Sequence, residues 1–376
     1  MTEKIRVGVI FGGRSGEHEV SLASARSVME AIDREKYEVV PIGITKAGRW
    51  IAAGDPMKAL ESGNLDAAQP AALLGDPSHK GLMRLKGDDQ ALEGTLLSQL
   101  DVVFPVLHGP YGEDGTVQGL LELAGIPYVG AGVTGSAVAM DKVIFKDVMK
   151  AHGFPIVGWV TLKRKEWEAD LEAAMDKIER TLRYPVFTKP ANLGSSVGVS
   201  KCHDRAELAE GLEEAARYDR KLLIEAAVAD AREIEVSVLG NDSPIASLPG
   251  EIVPSREFYT YESKYLDTGE EASELIIPAP IAKLLTEQIR QMAVAVYKAV
   301  DCAGMARADF LLSGQTDELY VNEINTIPGF TSISMYAKLW DATGISYPEL
   351  IERLIDLALE RYHDKQRSKT SYQPSV

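Results

Sequence analysis

Met305-Ala306-Arg307-Ala308-Asp309-Phe310-Leu311-Leu312 and, shortly after it, Leu319-Tyr320-Val321-Asn322-Glu323-Ile324-Asn325 read as two neighbouring strands. Strand side chains alternate between faces, so Met305, Arg307, Asp309 and Leu311 share one side, while Ala306, Ala308, Phe310 and Leu312 form an apolar one. The same alternation groups Val321, Glu323 and Asn325. Two carboxylates, a side-chain amide and a guanidinium would then meet on one surface. Grouped hard oxygen donors suit Mg²⁺, which takes one or two carboxylates and leaves its other positions to water or phosphate. A solvated sheet face has the same composition, so the rest of the chain must separate the two readings.

The chain has 376 residues, 45% hydrophobic and 26% charged, enough for two or three domains with a sizeable core. No uncharged apolar run of about 18 residues occurs, so no membrane insertion is expected. Residues 1–6 are charged and lead into a strand, unlike a signal peptide. Two cysteines, Cys202 and Cys302, lack metal-type spacing, which points to the reducing cytoplasm. A net charge of −16 argues against nucleic acid or an anionic membrane as the main partner. A polyphosphate substrate would need local cations to overcome that field. Lysines and arginines in Gly-rich or apolar settings therefore matter most.

At the start, an apolar strand over 5–11 ends in Gly12-Gly13, followed by a helix over about 20–32 and a strand over 37–44. This β-α-β order predicts a parallel sheet flanked by helices, an α/β arrangement with α+β character further on. Residues 1–135 form the expected first domain, with a weakly periodic surface insertion at about 52–95. A strand over 102–107, a loop over 108–115 and a helix over 116–124 follow. Residues 136–228 form the expected middle domain. There a helix from near Ser136 carries Lys142, Lys146 and Lys150 at four-residue spacing. Lys146 and Lys150 read as a solvated basic face. Strands are expected at 156–162, 186–189, 198–202 and 221–226, around a helix at about 165–182. Residues 229–376 form the third domain, with a strand over 233–239, helices at about 280–300 and 347–361, and a frayed tail.

Several segments carry candidate chemistry. Thr188 to Gly198 joins two strands, and its Gly194, Ser195 and Ser196 would let backbone N–H groups approach phosphate oxygens, with Lys189 adding charge. The Walker A order is absent, and a plain hairpin turn has the same composition. Glu225 ends an apolar strand and could orient an adenine amino group; Glu233 could take ribose hydroxyls; a strand-end salt bridge is the competing reading. A long loop at about 250–275 contains Tyr259, Tyr261, Lys264 and Tyr265, which suits a lid. Glu17 opens a helix after the first strand. It either caps the helix dipole or binds an ammonium group at the sheet's carboxyl edge. His108 stands at another strand's end.

Together these segments resemble the D-alanine–D-alanine ligase family of the ATP-grasp superfamily. The likeness runs from about Val7 to Glu360 through Gly12-Gly13, Glu17 to Ser21, Leu107-His108-Gly109, Gly112 to Gly115, Met140-Asp141-Lys142, Lys189-Pro190, Gly194 to Gly198, Tyr261-Glu262, Lys264-Tyr265, Asn322-Glu323 and Pro328 to Ser332. It implies a three-domain ATP-grasp fold with ATP between the central and C-terminal domains. It also implies ATP-dependent joining of two D-alanines through a D-alanyl phosphate, in peptidoglycan precursor synthesis. The implied metal ligands are Asp309, Glu323 and Asn325, holding two Mg²⁺ or Mn²⁺, with a monovalent cation as a further requirement. Lys142, Lys189, Ser196 and Lys264 are implied at the phosphates, and Glu225, Val228 and Glu233 at the nucleoside. Arg307 would stabilise the acyl phosphate. Glu17 would take the first substrate's ammonium, linked through Ser195 to Tyr265. His108 would lie near that substrate's carboxylate, and Gly329, Ser334 and Met335 near that of the second. A homodimer is also implied.

The chain departs from some relatives at Asn192-Leu193, where they carry a charged pair, and at Met335, where they carry leucine. Depsipeptide-forming relatives place a histidine in the lid region. Residues 251–280 contain none, which favours an amine over D-lactate as second nucleophile. The alternatives are a D-alanine–D-lactate ligase and an ATP-grasp protein that binds ATP without catalysis.

Overall fold

A computed structural model describes residues 3–87, 92–254, 273–369 and 371. Their backbone forms three sheets. The first contains β1 (Ile5–Gly12), β2 (Tyr37–Ile44), β3 (Trp50–Gly54), β4 (Ala68–Leu73), β5 (Gly81–Gly87), β6 (Leu92–Gln99) and β7 (Val102–Val106), in the order β6-β5-β4-β3-β2-β1-β7. Apolar β1 is buried between parallel neighbours β2 and β7. The stretch at about 52–95, expected as a surface insertion, instead continues this sheet through antiparallel β3 to β6. Its apolar alternation is short, because only a few side chains such as Ala71, Leu73 and Leu82 reach the core. The helices α1 (His18–Ala31), α2 (Pro56–Ser62) and α3 (Thr116–Ala124) pack beside these strands.

The expected single helix from Ser136 is two: α4 (Val133–Met140) and α5 (Lys142–Ala151). Asp141 leaves the helical region between them and its carboxylate accepts from the N–H groups of Val143 and Ile144, capping α5. A second, antiparallel sheet follows, built from β8 (Trp159–Lys163), β9 (Val186–Pro190), β10 (Ser200–Cys202) and β11 (Lys221–Ala226) in the order β10-β9-β11-β8. The helices α6 (Arg164–Ala169), α7 (Leu171–Thr181) and α8 (Arg205–Tyr218) belong to the same region. Leu208, Leu212 and Ala215 of α8, a helix absent from the sequence reading, close its core with Met175 and Ile178 of α7.

The third sheet is antiparallel. Its strands are β12 (Ala231–Gly240), β13 (Ile245–Ala246), β14 (Gly250–Val253), β15 (Glu274–Ile276), β16 (Gly304–Ser313) and β17 (Leu319–Asn325), with β16 between β12 and β17. Ala306, Ala308, Phe310 and Leu312 face a core shared with Ile289, Ala293 and Val296 of α9 (Lys283–Ala299). Two further helices are α10 (Met335–Thr343) and α11 (Tyr347–Lys365). Leu350, Ile351, Leu354 and Ile355 of α11 pack in one cluster with β1 and β7, and with Tyr336 and Trp340 of α10. The C-terminal helices thus complete the core of the N-terminal sheet.

Candidate active site

In β16 and β17, Arg307 stands opposite Asn325 and Asp309 opposite Glu323, as the alternation predicts. Val321 departs from that expectation. The pairing jumps from Asp309–Glu323 to Phe310–Val321, so Asn322 is an extra residue in β17. This bulge resets the alternation. Val321 turns into the core beside Phe310, while Asn322 and Glu323 both line a cleft of about 440 Å³. On the other side of β16, Glu235 of β12 pairs in register with Asp309.

These groups lock together. Arg307 donates to both Asp309 oxygens at 2.7 and 2.6 Å and pairs with Glu235 at 2.9 Å. Burial opposes its charge, yet Asp309 and Glu235 outweigh that and raise its pKa further. Asn325 Nδ2 donates to Asp309 at 3.0 Å. Two carboxylates and one amide on adjacent strands fit a divalent cation that completes its shell with phosphate and water. No group of three His, Cys, Asp or Glu side chains forms a metal cage among the described residues.

The middle sheet faces this surface with cations. Lys189 of β9 is a diagonal neighbour of Glu225 on β11 and pairs with it at 2.6 Å. Lys142, at the start of α5, donates to the Leu193 carbonyl at 2.7 Å and lies 3.6 Å from Glu323. Lys146 is not on a solvated face. It is 1% exposed and ion-paired with Glu225, which is 3% exposed. Burial disfavours the Glu225 carboxylate, but Lys146 and Lys189 prevail and hold its pKa near 2. Lys150 remains outside, its ammonium 5.2 Å from the Trp159 ring centre. Val228, Glu233 and Ser196 also line the cleft. Ser195 and Ser196 have φ of 53° and 58°, a left-handed pair that non-glycine residues seldom adopt. Asn192, at one departing position, donates through both its N–H and its side-chain amide to Asp219.

Glu17 and His108 follow β1 and β7, at the carboxyl ends of strands where the sheet order reverses. Ser195 Oγ donates to Glu17, so the loop that leaves β9 touches this crevice directly. A Cβ on Gly109 would come within 2.8 Å of Glu17 Oε2, and Gly109 has φ of 76°, so only glycine suits both its shape and its space. His108 Nδ1 donates to the Ile327 carbonyl at 3.0 Å, leaving Nε2 to accept from Ser24 at 3.3 Å. Burial, the dominant cause, lowers the His108 pKa against the pull of Glu17, so the ring is neutral. Both nitrogens are occupied, and the imidazole braces the loop. Glu113 accepts from the Gly109 N–H at 2.6 Å; burial and then Glu17 push its pKa well up.

Ser334 caps the chain turn before α10, where its Oγ contacts both Thr331 N–H and Thr331 Oγ1. Gly329 packs against it. The Met335 side chain is buried with Ile252 and Leu339, and its backbone opens α10. Lys264 and Tyr265, with the rest of 255–272, lie outside the described residues. The sequence reading put Lys146 on a solvated face and gave no role to Glu235, Glu113 or Ser24. A lysine one turn beyond Lys142, or a carboxylate two beyond Glu233, carried only a periodicity signal.

Fold and cleft define an ATP-grasp enzyme, in which two facing sheets hold a nucleotide. Family descriptions sharpen this: D-ala D-ala ligase N-terminus matches residues 6–131 and D-ala D-ala ligase C-terminus matches residues 148–356. A D-alanine–D-alanine ligase from Natranaerobius thermophilus is 49% identical over 99% of this chain and 100% of its own. Among solved structures, the D-alanine–D-alanine ligase of Coxiella burnetii superposes with a TM-score of 0.80 at 37% identity, covering 97% of each chain. The VanG D-Ala:D-Ser ligase of Enterococcus faecalis gives 0.82 at 37%, covering 95% of this chain and 100% of that one. The chain belongs to the D-alanine–D-alanine ligase family, whose members are ATP-dependent ligases of small-molecule substrates.

Proposed function

We propose that this chain joins two D-alanines at the expense of ATP, as a cytoplasmic homodimer that supplies a peptidoglycan precursor. The observation that carries the reading is the Ser195–Glu17 contact. It links the strained loop beside Lys142 and Lys189 to the crevice between β1 and β7, so phosphate and amino-acid groups have adjoining places.

Glu17 takes the ammonium of the first D-alanine, and the loop braced by His108 surrounds its carboxylate. Lys142, Lys189 and the Ser195-Ser196 backbone hold the phosphates, while Glu225, Val228 and Glu233 hold the nucleoside. Asp309, Glu323 and Asn325 would hold a divalent metal, Mg²⁺ or Mn²⁺, whose charge would offset that of the phosphates. A substrate carboxylate oxygen attacks the γ-phosphorus, ADP departs, and an acyl phosphate forms. The amine of the second D-alanine, its carboxylate held near Gly329, Ser334 and the Met335 backbone, attacks the acyl carbon. The C–O bond breaks, phosphate leaves, and the nitrogen sheds a proton. Arg307, held at fixed geometry by Asp309 and Glu235, stabilises the developing negative charge. Family resemblance assigns Lys264 to the γ-phosphate and Tyr265 to the link through Ser195 to Glu17.

The test is phosphate release and product analysis with D-alanine, L-alanine, D-serine and D-lactate in parallel, with and without Mg²⁺. Metal-dependent D-alanyl-D-alanine is the expected product. ATP binding without D-alanine-dependent phosphate release would refute ligation. Exclusive formation of a mixed product would reassign the second substrate.

A further inference from the structure

Lys142 and Lys146 lie one turn apart on α5, so their side chains share one face of the helix. Their tasks differ. Lys142 reaches the Leu193 carbonyl and Glu323, whereas Lys146 is fully buried against Glu225. A buried ammonium is costly unless a carboxylate answers it, so this lysine and Glu225 depend on each other. Lys146 contacts Glu225 Oε1 and Lys189 contacts Oε2. A carboxylate offers about four lone-pair positions, so Glu225 can still accept a hydrogen bond from a donor in the cleft it lines.

We propose that Lys146 is a positioning residue for the nucleotide base, fixing the Glu225 carboxylate as an acceptor and freeing Lys189 to move to phosphate. This rests on the reading that Glu225 meets the base. The argument is one of charge balance. With two cations on one anion, Lys189 can transfer to a phosphate and Glu225 stays neutralised by Lys146. Without Lys146, Glu225 either retains Lys189 or takes up a proton. A protonated Glu225 would present an O–H, which suits the carbonyl at purine position 6 of guanine better than the amino group of adenine.

The experiment compares ATP and GTP at saturating D-alanine, with phosphate release as readout, in the wild type, Lys146→Met, Lys146→Arg and Glu225→Gln. Lys146→Met should raise KM for ATP about tenfold or more and narrow the ATP-over-GTP ratio of kcat/KM by a similar factor. KM for D-alanine should stay unchanged, which places the loss at the nucleotide. Lys146→Arg should restore most of the selectivity. A Lys146→Met enzyme with wild-type KM and selectivity but a lower melting temperature would overturn the proposal, leaving Lys146 a core-filling ion pair. Glu225→Gln separates the two ideas. If it turns over with unchanged selectivity, the base assignment itself fails. If it loses selectivity while Lys146→Met keeps it, only the Lys146 inference fails. Lys146→Gln reads the same outcomes should the methionine variant not fold.

Discussion

Glu323 and His108 show how much a single side chain's setting changes what it can do. Glu323 lies on the cleft face, a quarter exposed and 3.6 Å from Lys142, so neutralising it removes ligand charge without opening the core. Glu323→Gln should lower kcat about a hundredfold or more. Its melting temperature should move by no more than about 3 °C. Sharp destabilisation with turnover intact would show that Glu323 is not a metal ligand. His108 is buried and neutral, with its pKa held below 6.5. Below that value the unfolded chain takes up a proton that the folded chain refuses. The neutral ring's contribution is therefore complete above pH 6.5 and declines as pH falls, by up to about 1.4 kcal/mol per unit. Melting temperatures of the wild type and His108→Asn at pH 7.5, 6.5 and 5.5 check this: the wild type should lose ground steadily toward pH 5.5. A constant difference would mean the ring titrates alike in both states. Arg307, Asp309 and Glu323 were readable from strand period alone, whereas Lys146 was not, because its partner Glu225 lies far along the chain.

Elements carry these side chains to their places through a few local devices. Asp141 ends α4, caps α5 and pairs with Lys221 at the start of β11, while Lys142 N–H donates to the Ala191 carbonyl at 2.9 Å. One carboxylate thus fixes where α5 begins and how its lysines enter the cleft. Asp141→Ala should cost about 1–3 kcal/mol and raise KM for ATP along with it, as a denaturant titration and ATP kinetics would show. Stability lost without any change in KM would confine Asp141 to capping. Regular period describes most of β16 and β17, but the extra Asn322 inverts part of β17. A bulge adds one residue without any distinctive residue type here, so the period could not announce it. The short strands β4 to β6 were similarly hidden, because too few of their side chains are buried to print an alternation.

At the scale of the molecule, α10 and α11 seal the N-terminal sheet from a region more than 200 residues later in the chain. Trp340 is fully buried, edge-on to Tyr336 at 6.5 Å between ring centres. Trp340→Ala should cost about 3–5 kcal/mol. Because that cluster joins β1, β7 and α11, the first and third sheets should lose structure together. Thermal melts followed by limited proteolysis would show one lowered transition; two separate ones would refute the shared core.

Strand period, Gly-Ser loops and spaced lysines are local, and they were enough to read the α/β class, the C-terminal polar face, most central elements and the ordered motifs that resemble the ligase family. Contacts between remote segments are not local. Ser195 meeting Glu17, Lys146 meeting Glu225 and Glu235 bracing Arg307 exist only once segments distant in sequence have folded together, since burial turns an ordinary charge into a paired and fixed one. The polar face on β16 and β17 was first compatible with a wet surface, and folding encloses it beneath the lysines of the middle sheet.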